Sequence, residues 1–160
     1  MSVRFSYVDS TLHSEVGRTA YTYTGKDFVR LELDLRDVPT QLRKMLDRRL
    51  RSVGDVTVAA VRRHASWSSR IPGAVHLRVR FTGKDPGLLI YVDAAAAPHA
   101  RPYEGLLKDS FRHPVFGDVD VWVSQDVRRF VWPGVQETQQ QVADAVDEAI
   151  AAAFHAAGFG

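Results

Sequence analysis

Val29-Arg30-Leu31-Glu32-Leu33-Asp34-Leu35-Arg36, followed by a stretch in which Leu42, Met45, Leu46, Leu50, Val53, Val56, Ala60 and Val61 recur, decides the fold class. In the first segment every second residue is apolar, the period of a strand with one buried face. In the second the apolar residues return at helical spacing. Asp37 suits a cap between the two, and Pro39 suits the first turn of the helix. A helix of roughly 25 residues spans about 37 Å, long for a domain of this size. Gly54 interrupts its pattern, so a kink or a close helix contact is expected there.

Working outward, Val75, Leu77, Val79 and Phe81 alternate with His76, Arg78 and Arg80. Gly83-Lys84-Asp85-Pro86-Gly87 supplies turn chemistry, and Leu88-Leu89-Ile90-Tyr91-Val92 follows, so an antiparallel hairpin is expected. Val119, Val121 and Val123 define another strand. After Trp132-Pro133-Gly134, the spacing of Val135, Val142, Val146, Ile150 and Phe154 predicts an amphipathic final helix. Residues Asp93 to Gly117 read as a long connection. Within it, Arg112-His113-Pro114-Val115-Phe116-Gly117 reads as a rigid loop pinned on a strand: Pro114 fixes its own φ and pushes His113 into an extended conformation, and Gly117 tolerates left-handed geometry. Met1 to Gly25 is the least readable part, with strand-like Val3–Val8 and Tyr21–Thr24 separated by polar residues. Residues 1–27 are therefore an N-terminal arm or an added hairpin, and residues 28–160 a single α+β domain. Its expected architecture is a small antiparallel β-sheet packed by a long helix and a C-terminal helix.

With 160 residues, 45% hydrophobic and 10% aromatic, the chain can bury a core. The absence of cysteine excludes disulfides, thiolate catalysis and cysteine-based zinc sites. The Met1 segment has no basic stretch followed by an apolar run, and no apolar run approaches the roughly 20 residues of a membrane span. A protein made in a cytoplasm, with no membrane partner, is expected. The net charge of +2 identifies no nucleic-acid binder. Its distribution says more: Pro39 to Arg63 holds Arg43, Lys44, Arg48, Arg49, Arg51, Arg62 and Arg63 against Asp47 and Asp55. Gly134 to Gly160 has no Lys or Arg and carries Glu137, Asp144, Asp147 and Glu148. These are either two solvated helix faces or surfaces that pair within one molecule or between copies.

Catalytic and metal chemistry finds little support. His13, His64, His76, His99, His113 and His155 form neither a His-x-x-x-His nor a His-Glu-x-x-His spacing. Gly83-Lys84 is no phosphate loop, because Arg78 stands where its first Gly belongs and Asp85 follows the Lys. There is no Gly-x-Ser-x-Gly elbow. Neither an enzyme nor a cofactor is expected, and His113 is expected to hydrogen-bond within its own loop. His76, Arg78 and Arg80 make either the polar side of an antiparallel sheet or a face that tracks phosphates, with Arg78 and Arg80 as DNA-facing candidates. A small DNA-binding or regulatory module using that basic face is the alternative function.

His99-Ala100-Arg101-Pro102-Tyr103-Glu104, then Arg112 to Gly117, then Val121-Trp122-Val123-Ser124-Gln125 resemble the neck or tail-completion proteins of long-tailed bacteriophages. Phe130 and Trp132-Pro133 occupy the place of that family's aromatic-Pro segment. Leu33-Asp34-Leu35, Val38-Pro39 and Leu42-Arg43 look like its start, so the resemblance covers residues 28 to 157. The insert Gly105 to Phe111 and the arm before Lys26 depart from the pattern. The resemblance implies a virion structural protein that completes the head–tail junction, without catalysis. The implied partners are further copies in a ring, commonly a hexamer, with a head-side connector or stopper ring and a tail terminator or tail tube. Passing genomic DNA would be contacted only non-specifically, and the protein would sit in the neck after assembly in the host bacterial cytoplasm. Heterologous closure of such a ring needs two different complementary surfaces. Candidate interface residues are Tyr103, Glu104, Arg112, His113, Phe116, Trp122, Gln125, Arg128, Arg129 and Trp132. Of these, Phe116 and Trp122 are expected in core packing ahead of contact, and Trp132 is expected to be exposed.

Overall fold

The computed structural model describes residues 5–8, 11–16, 19–24, 28–33, 40–81, 87–105, 109–115, 117–156 and 158, with side chains from Arg43 onward. In chain order the elements are β1 (Phe5–Val8), β2 (Thr11–Val16), β3 (Thr19–Thr24), β4 (Phe28–Leu33), α1 (Thr40–His64), α2 (Ile71–Ala74) and β5 (Val75–Arg80). They continue with β6 (Gly87–Val92), α3 (Ala100–Glu104), β7 (Ser110–Val115), β8 (Asp118–Asp126) and α4 (Val131–Ala156). The architecture is α+β, as the alternating and helical patterns require.

Strands β1 to β6 form one antiparallel sheet in the order β1-β2-β3-β4-β6-β5. The first three strands thus continue the ladder of β4 edge to edge. The hairpin of β5 and β6 pairs Val75 with Val92 and Leu77 with Ile90. β6 lies between β4 and β5, and Leu88, Leu89, Ile90 and Val92 are all buried, so both faces of this strand are covered. That explains why the run is continuously apolar while β5 alternates. Helix α1 lies on β5 and β6, and α4 packs along α1. The joint core includes Leu46, Leu50 and Val61 of α1, Leu88 and Ile90 of β6, and Val135, Val142, Val146 and Ile150 of α4.

Two glycines set the spacing of these layers. A Cβ on Gly54 would lie 2.6 Å from Leu77 Cδ2, so this glycine seats α1 on strand β5, not on another helix. A Cβ on Gly134 would lie 2.7 Å from the backbone nitrogen of Val61, so the helix–helix approach belongs to Gly134. One turn away, Thr57 Oγ1 and Thr138 Oγ1 are 2.9 Å apart in the buried interface, and Thr138 also donates to the Gly134 carbonyl at 3.0 Å. These pairings make the helices antiparallel.

Three sequence expectations are corrected. The Asp93–Gly117 connection contains α3 and the whole of β7, so it is no single loop. Arg112 to Val115 are strand residues paired with β8, and the irregular step falls between Pro114 and Val115. Proline lacks a ladder donor, and a two-stranded ribbon tolerates this at a register shift. Met45, placed on the apolar stripe by its spacing, is 45% exposed. Leu35, Asp37 and Pro39 lie outside the described residues.

Candidate functional site

The residues of the quoted motifs converge where the β7–β8 hairpin leaves the body of the protein. Glu104 ends α3 and is only 1% exposed. Its carboxylate accepts from the backbone N–H groups of Phe130 (2.7 Å), Val131 (2.9 Å) and Trp132 (2.9 Å). A helix leaves its first N–H groups without intrahelical partners and carries a positive dipole end there. A buried carboxylate brought in from a distant segment satisfies both demands at the start of α4. The chain reaches this position because Gly105 adopts φ 77°, which turns the backbone sharply after Glu104 and is strained for any side-chain-bearing residue.

Around this cap lies a chain of rings. Trp67, just past α1, meets Tyr103 edge-on at 4.8 Å and Phe130 at 6.4 Å. Tyr103 meets Phe111 of β7 at 5.0 Å, and Phe111 meets His113 at 5.9 Å. The Arg128 guanidinium covers the Trp67 ring at 4.8 Å. Polar groups connect the same residues: Tyr103 Oη donates to Gln125 Oε1 (3.1 Å), which also lies 2.9 Å from His113 Nε2. His113 Nδ1 lies 3.1 Å from the carbonyl oxygen of Pro114. Backbone bonds from Arg128 to Tyr103 and from Val127 to Asp109 close the hairpin base. Tyr103, Glu104, His113, Gln125 and Arg128 therefore share one joint that fixes the hairpin to the helix pair.

The other candidates are spread more widely. Trp132 is 9% exposed and sits in the first turn of α4, so the expectation of exposure is corrected. Pro133 follows it inside that turn, where a missing N–H has no intrahelical bond to lose. Trp122 is 47% exposed on β8, and its Nε1 donates to the Val119 carbonyl at 2.7 Å, so it is not core. Arg112 is exposed on β7, and Arg129 lies 3.8 Å from Asp109. Phe116 lies outside the described residues. Arg78 and Arg80 are exposed on β5, with Arg78 stacked over Tyr91 at 5.1 Å and His76 at 5.5 Å from the same ring.

Trp67 was missed by sequence reasoning. It follows the helix among serines and belongs to none of the quoted motifs, although it is the hub of the ring chain. Its Nε1 is buried without a described hydrogen-bond partner. Beside it opens a cleft of about 330 Å³ lined by residues that include Ser69, Arg70, Pro98, His99 and Tyr103.

At the C-terminal end of α1, Arg63 and His64 both bond Glu137 of α4. The hydrogen bond from His64, with the charge of Arg63 beside it, holds the Glu137 carboxyl below the usual carboxylate range. Among the described residues no three His, Asp or Glu side chains gather as metal ligands, and no helix is long and apolar enough to cross a membrane. Comparison with protein-family models, curated proteins and solved structures gave no match.

Proposed function

We propose that this chain is a virion structural protein that completes the head–tail junction of a long-tailed phage, as a subunit of a ring, commonly sixfold. The observation that carries this reading is the joint itself. Residues of the motifs that resemble the neck family, from Tyr103-Glu104 to Trp132, gather into one network of rings and hydrogen bonds. The network's product is a firmly anchored hairpin that carries exposed Val119, Val121, Trp122 and Val123. A rigid base beneath an apolar, solvent-facing ribbon suits protein docking. The ring would meet a head-side connector or stopper on one side and a tail terminator or tail tube on the other. Immunogold labelling of virions from the phage or prophage carrying this gene tests the reading. Label at the neck supports it; a chain missing from purified virions contradicts it.

A small DNA-binding or regulatory module is the second reading, favoured by the exposure of Arg78 and Arg80 on β5. Stacking of Arg78 on Tyr91 covers one face of the ring that would otherwise stack a base. Salt-sensitive DNA binding by the isolated chain, lost on changing both arginines, would support this second reading.

A further inference from the structure

Just after the turn of the β7–β8 hairpin, the start of β8 carries Asp118, Val119, Asp120 and Val121, all exposed, with Val119 at 70% and Val121 at 50%. Beyond its anchored base, the described hairpin makes its extensive contacts between its own two strands. An isolated two-stranded ribbon is marginal in water, and exposed valines add to the cost of leaving it unpartnered. Neither aspartate forms an ion pair among the described residues.

A surface of matching chemistry lies on α1. There a shallow groove of about 360 Å³ is lined, among the described residues, by Lys44, Met45, Arg48 and Arg49. Three cations surround one exposed methionine, and none of the three has an ion-pair partner among the described residues. Arg51 of the same helix differs in being paired with Asp47 at 2.8 Å. The groove thus offers positive charge around a flexible apolar floor, and the start of β8 offers two exposed carboxylates and two exposed valines in succession. Methionine adapts well to side chains of this kind.

The base of the hairpin and the groove sit at different ends of the helix pair. The hairpin base is anchored near Trp67, just beyond the C-terminal end of α1. The groove lies near the N-terminal end, about 30 Å away at the rise of an α-helix. Two different surfaces of one chain that fit each other join copies head to tail, and such a contact closes a ring when the rotation permits.

We infer that the hairpin tip Asp118–Val121 of one copy docks in the Lys44–Met45–Arg48–Arg49 groove of a second copy of this chain. The inference names the subunit contact of the proposed ring and rests on that reading. Charge complementarity selects the occupant, because the same chain carries both the acidic knob and the basic socket.

The cysteine-free chain allows a direct test. A Met45→Cys/Val119→Cys variant is oxidised at high concentration and its disulfides are mapped by peptide mass. Intermolecular 45–119 links in dimers and larger species are expected. Only 45–45 or 119–119 links, an intramolecular 45–119 link, or no link at all would overturn the inference. Charge reversal provides an independent readout by sedimentation. Asp118→Lys/Asp120→Lys and Arg48→Glu/Arg49→Glu should each weaken self-association by about tenfold or more, since like charges then meet. Mixing the two variants restores opposite charges at both kinds of junction and should restore association; a mixture as weak as its components would refute the pairing. Failure here with neck labelling intact would reject this contact while leaving the ring reading standing.

Discussion

Exchange of Glu104 probes how the hairpin joint is tied to the start of α4. In the native protein one carboxylate serves three buried N–H groups at 2.7, 2.9 and 2.9 Å. Hydrogen bonds to a charged acceptor contribute about 1.5–3 kcal/mol each, roughly twice a neutral one. In Glu104→Gln the single carbonyl oxygen can still serve Phe130 and Val131, but at neutral strength. The amide NH₂ then faces the Trp132 N–H, and two donors meet. Two weakened bonds and one lost bond sum to about 3–4 kcal/mol. Glu104→Ala removes all three acceptor contacts and the charge at the helix dipole, for about 5 kcal/mol or more. Because whole domains are stable by about 5–15 kcal/mol, the alanine variant should lie at the margin of folding while the glutamine variant remains measurable. Urea unfolding followed by far-UV circular dichroism and tryptophan fluorescence gives both midpoints. Values for both variants within about 0.5 kcal/mol of wild type, the range of ordinary surface changes, would refute the reasoning.

Further outcomes follow from the same structure. Gly134→Ala pushes a Cβ against the Val61 backbone and should cost about 1–3 kcal/mol, whereas Gly54→Ala meets only the movable end of Leu77 and gains helix propensity, so it should be near neutral; equal unfolding midpoints for the two variants would contradict this. The lowered pKa of Glu137 means that its pairing with Arg63 and His64 contributes fully above the ordinary value of 4.5 and is lost as pH falls through the lowered native value. The stability gap between wild type and Glu137→Gln should therefore shrink on acidification, and a gap independent of pH across a series of urea midpoints would reject the assignment. Gln125→Ala removes the acceptor shared by Tyr103 and His113, so amide hydrogen exchange should accelerate in β7 and β8 while α1 and α4 keep their protection. Uniform acceleration across the whole chain would show that the joint is not local.

Much of the architecture was legible because it rests on local periodicity. The alternation of Val75, Leu77 and Val79 and the helical return of Leu46, Leu50 and Val61 each report a single buried face. The features that escaped are those created by contacts between distant segments. Pro114 disguised β7, since a proline argues against a strand unless the ladder shifts beside it. Trp132-Pro133-Gly134 has the composition of a turn, yet it opens α4, because Glu104, 28 residues before Trp132, supplies the missing acceptor. Gly54 was expected to mark a kink or a close helix contact, but what it meets is a strand residue, Leu77; Gly134 carries the helix contact. In the candidate site, Tyr103, His113 and Gln125 were visible as a motif, whereas Trp67 became visible only when three segments met around it.

The claim that this chain joins heads to tails is tested most directly by electron microscopy of particles made when its gene carries an early stop codon. The account expects DNA-filled heads and separate, finished tails that fail to join, with normal particles restored when the intact chain is supplied in trans. Joined, infectious particles formed without the chain would contradict it.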